Sequence, residues 1–145
     1  MVPTLYGRIQ TRIVLTAIIG GLWTLLITPI LPTGAPLGAS YRATFLVLAW
    51  VIVLGIAWEF LYHFLQQFRW EKDWPTLFGL LTAINEGVVL WLLVKAGVLP
   101  GLSAGVPFSA FLIQFLTTWV VVWLWANGPM RIFFPHWRFR GGRLW

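Results

Sequence analysis

The sequence has no cysteine, little charge and very little acid. Without cysteine there can be no disulfide, no thiolate nucleophile, no iron–sulfur ligation and no palmitoylation. The redox state of the compartment stays open. Only 10% of the 145 residues are charged, against about 25% in a soluble domain. A surface so poor in charge excludes a soluble globular domain. The four acids, Glu59, Glu71, Asp73 and Glu86, all fall between Ala57 and Val89. Histidine occurs twice, at His63 and His136, and serine at Ser40, Ser103 and Ser109, none of them near a histidine in sequence. No P-loop, dinucleotide glycine pattern, H-E-x-x-H, G-x-S-x-G or haem-attachment motif is present.

What the chain has instead is apolar length. Hydrophobic residues make up 59% and fall in runs close to the ~20 residues that cross ~30 Å of hydrocarbon. The runs predict one all-α membrane domain over 1–145, with four spanning helices at about 13–31, 43–68, 76–99 and 108–126. Residues 127–145 form a tail that alternates bases and aromatics. The first run follows Arg8 and Arg12, as a signal peptide would. It is longer than a signal core and no A-x-A cleavage site follows, so it reads as an uncleaved span behind a polar lead of residues 1–12. Between runs, Pro32–Arg42 and Pro100–Pro107 are turn-rich. Arg69–Pro75 is a charged turn between Trp70 and Trp74, residues suited to the interfacial aromatic belt.

Four spans put both termini on one side. Eight bases (Arg8, Arg12, Arg69, Lys72, Arg131, Arg138, Arg140, Arg143) lie on that side, against Arg42 and Lys95 on the other. By the positive-inside rule both termini are expected in the cytoplasm, in a prokaryotic-type inner membrane. The net charge of +6 then reports orientation and attraction to an anionic inner leaflet, not nucleic acid. Arg131, Arg138, Arg140 and Arg143 are expected on that leaflet or on an acidic partner.

Two acids sit within apolar runs. Glu59 and His63 share a helix face at i, i+4 and could relay a proton or offer two metal ligands. Histidine–carboxylate metal sites need three or four ligands, so no metal is expected and a hydrogen-bonded pair is the blander reading. Glu86 lies about ten residues into the third run, roughly 15 Å deep by helix rise. An ionised carboxylate there marks function or a paired base. No Lys or Arg of the chain sits at that depth, and Lys95, nine residues on, turns to the opposite face and the outer boundary. Glu86 is therefore expected to be neutral, solvated through a cavity, or paired with another chain's base. Asn85, Thr82, Gln114, Thr117 and Thr118 are its candidate hydrogen-bond partners, and a polar clasp between the third and fourth spans is the structural alternative. Gly79, Ala83 and Gly87 form a small-residue stripe at four-residue spacing, suited to a close helix contact, and they suggest that Glu86 faces a partner.

No cofactor is expected. With no motif, no sizeable loop and a buried acid lacking a base, the leading expectation is a non-catalytic accessory or scaffold subunit among other membrane subunits or copies of itself. A proton-coupled carrier or channel using Glu59, His63 and Glu86 is the second. A cofactor-binding or membrane-embedded enzyme subunit is the third.

Overall fold

The computed structural model describes residues 4–32, 36–69, 76–99 and 107–139, and every regular element among them is helical. Four helices are long and apolar enough to cross a membrane: Leu5–Ile30, Leu37–Gln66, Leu77–Ala96 and Phe108–Phe133. Each satisfies its backbone hydrogen bonds internally, as hydrocarbon requires.

The first helix begins at Leu5, well before the expected Ile13. The hydroxyl of Thr4 caps it by accepting the Gly7 N–H at 3.1 Å, one of the donors a helix start leaves unpaired. Residues 5–12 are thus part of the span and not a polar lead, which carries Arg8 and Arg12 into the bundle. The helix loosens into a π turn at Thr16–Gly20, resumes at Gly21–Ile27 and tightens into a 3₁₀ turn at Thr28–Ile30, where Pro29 lies.

The second helix also starts earlier than expected, at Leu37, and ends at Gln66. The third runs Thr76–Ala96 and stops at Gly97, whose φ of 69° is left-handed and whose N–H reaches the Val94 carbonyl at 3.1 Å. Glycine adopts that conformation without the Cβ clash other residues suffer. The fourth helix, Phe108–Asn127, turns at Gly128 into a short helix Pro129–Phe133, and a second short helix follows at Pro135–Phe139.

Aliphatic and aromatic packing holds one half of the bundle. Val47, Leu90, Val94, Phe111 and Phe115 are buried together, with Trp91 against Phe108 and Phe111. The half built from the start of the first helix and the end of the second is polar.

Candidate functional site

Arg12 stands at the centre of that polar half. Its Nη1 and Nη2 donate to the two carboxylate oxygens of Glu86 at 2.9 and 2.8 Å, and its Nε donates to Glu59 at 2.8 Å. The fork geometry of guanidinium suits this two-point grip on a carboxylate. One turn earlier, Arg8 donates to Glu59 at 3.4 Å and to the Gln66 side-chain oxygen at 3.1 and 2.6 Å. Tyr62 donates to Glu86 at 2.8 Å and accepts from Asn85 at 2.8 Å. The Trp119 ring of the fourth helix lies 5.6 Å from the Arg12 guanidinium carbon.

Local sequence makes room for this. A Cβ on Gly55 would overlap the Arg12 side chain, so any larger residue there would force the guanidinium to shift from this position. Arg8 and Arg12 are four residues apart and share a face, as do Glu59, Tyr62 and Gln66. Glu59 and Glu86 are buried, at 7% and 4% exposure. Two cations meet two anions, so the cluster of Arg8, Arg12, Glu59 and Glu86 sums to zero.

The expectation that Glu86 lacks a base in its own chain is therefore corrected: the base is Arg12. The error lay in starting the span at Ile13. The clasp joins the first three helices, not the third and fourth. Gln114 does not reach Glu86 either. It donates to the Thr44 backbone carbonyl at 2.8 Å and ties the fourth helix to the second.

Glu59 and His63 share a helix face but are not brought together. Glu59 turns to the arginines, while His63 Nε2 lies 3.4 Å from the Gln67 amide. The small-residue stripe meets the chain's own fourth helix, so it does not leave Glu86 facing another chain. Gly87 faces Phe115 and Gly79 faces Trp123, Ala83 is buried in the aliphatic core, and Trp119 Nε1 donates to the Gly79 carbonyl at 2.9 Å. Arg131 is exposed and donates to the Asn127 side chain at 3.2 Å. The side chain of Arg138, and Arg140 and Arg143 entirely, lie outside the described residues, as do Trp70 and Trp74. Among the described residues no group of three or more His, Cys, Asp or Glu comes together to hold a metal.

Beside the cluster is a cavity of about 250 Å³. Arg8, Arg12, Glu59 and Tyr62 form one wall; Trp119, Trp123, Asn127 and Arg131 of the fourth helix and its extension form another. Leu48, Val51 and Phe115 line its apolar part, with Thr16, Gln114 and Thr118 among the polar lining. Sequence reasoning missed Arg8, Arg12, Tyr62 and Gln66. The available signal was complementarity: an i, i+4 arginine pair on one helix, and Glu59 with Gln66 two turns apart on the next.

Neither a family model, nor a curated protein, nor a solved structure matches the chain.

Proposed function

We propose that this protein is a non-catalytic subunit of a larger membrane assembly, with both termini in the cytoplasm of a prokaryotic-type cell. The observation that best supports the non-catalytic part of this reading is the neutralised Arg12 cluster. Both intramembrane carboxylates are committed to arginines of their own bundle. Neither is left over as a nucleophile, and both are held as ion pairs across helices. A buried charge set that is paired and hydrogen-bonded serves registry between helices. His63, which a proton relay through Glu59 would need, makes its contact elsewhere. The bundle thus closes on itself, and its apolar outer faces, Leu22, Leu26, Phe60, Phe64, Ile84 and Leu92 among them, are free to meet lipid or neighbouring subunits. The cytoplasmic orientation rests on the distribution of bases, six against two once the paired Arg8 and Arg12 are set aside.

The test is affinity purification of the tagged chain from native membranes in a mild neutral detergent. A fixed stoichiometry with one or more other integral membrane proteins is expected. Recovery of the chain alone, together with pH-driven flux in proteoliposomes that Glu59→Gln abolishes, would replace the subunit reading with the carrier.

A further inference from the structure

The cavity beside Arg12 has two kinds of wall and, among the described residues, one arginine without a carboxylate. Arg8 and Arg12 reach into it already matched by Glu59 and Glu86. Arg131, the third arginine of its lining, has no carboxylate partner among the described residues, and its one described hydrogen bond goes to neutral Asn127. Counting the described residues, the end of the cavity beside Arg131 and Asn127 is therefore net positive. The remaining lining is mostly apolar or aromatic, with Leu48, Val51, Phe115, Val122, Trp119 and Trp123, and its uncharged polar groups include Thr16, Gln114 and Thr118. A cavity of about 250 Å³ exceeds the ~150 Å³ that encloses one benzene, and equals about eight waters at ~30 Å³ each. That is room for one short chain or one ring.

Two further features concern its depth. Thr118 lines the cavity, and its hydroxyl is buried without a hydrogen-bond partner among the described residues. Thr16 lines it as well and opens the π turn Thr16–Gly20, a helix irregularity frequent at functional sites. The first helix thus departs from α geometry where it borders this space.

We propose that this cavity binds one single-chain amphiphile with an anionic head, the head on Arg131 and Asn127 and the chain laid between Trp119, Trp123 and the Leu48–Val51 wall. Charge complementarity selects the head, because the ion cluster behind it is already balanced. The volume selects a single chain of modest length. The site is independent of whether the protein belongs to an assembly, since all its lining comes from this one chain.

The probes are decanoate, decyl phosphate and decanol, added to the full-length protein in nanodiscs of phosphatidylcholine. Binding is read by tryptophan fluorescence and by equilibrium partition of labelled probe. One saturable decanoate or decyl phosphate per chain is expected, with decanol at least about tenfold weaker, a difference of ~1.4 kcal/mol. The ratio of the two anions distinguishes a fatty-acid-type carboxylate from a phosphate-headed lipid. Arg131→Gln should weaken both anions about tenfold and leave decanol unchanged. Val51→Phe should abolish saturable binding of all three by filling the cavity, with thermal melting confirming the fold. Equal affinity for decanoate and decanol, or a folded Val51→Phe chain that still binds one decanoate, would overturn the assignment. Non-saturating uptake that neither substitution changes is partition into lipid, and it would overturn the assignment too.

Discussion

Arg12 divides one guanidinium between two helices, and that sharing sets what each substitution should do. Arg12→Gln leaves Glu86 buried with only Tyr62 among its described donors, while Glu59 keeps Arg8. An uncompensated buried charge costs about 3–5 kcal/mol, so a large fall in thermal stability in detergent is expected. Glu86→Gln should cost less, because Arg12 retains Glu59 at 2.8 Å and the new amide oxygen can still accept from it. The double substitution Arg12→Gln/Glu86→Gln restores charge balance, leaving Arg8 facing Glu59. It should be more stable than Arg12→Gln alone. If the two losses simply add, the pair is not coupled and the clasp is not what holds these helices in register. Only half of this pairing was legible in the sequence at residue level. Glu59 and Glu86 stood out as acids in apolar runs, but Arg8 and Arg12 looked like flanking charge. A base at a run's edge is ambiguous between interface and interior until the helix start is known, and Thr4 as a cap is a weak signal beside two arginines.

At the scale of elements, sequence and structure agree on what periodicity and length can decide. The apolar runs become four long helices, and Asn127-Gly128-Pro129 does end the fourth. Boundaries shift where the helix continues past the hydrocarbon-like stretch, as at Leu5 and Leu37. What a pattern of apolar residues cannot say is which helix face meets which. The C-terminal segment shows this. Within its basic–aromatic alternation, Trp137 is buried with Leu15 and Met130, and its indole N–H donates to the Thr11 hydroxyl at 2.8 Å. The short helix Pro135–Phe139 is thereby pinned to the first helix. Trp137→Phe should keep the packing and lose one hydrogen bond, about 1 kcal/mol. Trp137→Ala should release the segment, seen as faster hydrogen exchange across residues 129–139 while the four long helices stay protected. Unchanged exchange in Trp137→Ala would mean that the segment is held by something other than this residue.

At the scale of the molecule, the remaining question is sidedness. Thr11 near the start of the first helix touches Trp137 beyond the end of the fourth, so the first described turn and the last described helix share one end of the bundle. Four crossings require the same. Of the eight bases assigned to that end, Arg8 and Arg12 are neutralised inside the fold by Glu59 and Glu86. That leaves Arg69, Lys72, Arg131, Arg138, Arg140 and Arg143 against Arg42 and Lys95. Six against two is still a clear bias, and the acids Glu71 and Asp73 in the second connection count for little in the rule. Reporter fusions after residue 145 and within residues 100–106 should therefore report opposite sides, the former cytoplasmic. The same fusions in an Arg8→Gln/Arg12→Gln chain should keep that orientation if the folded-state neutralisation also describes what the inserting chain presents. A reversal there would show that topology is decided while both arginines are still unpaired, before Glu59 and Glu86 reach them. Reporters on the same side in the natural chain would break the four-crossing arrangement itself.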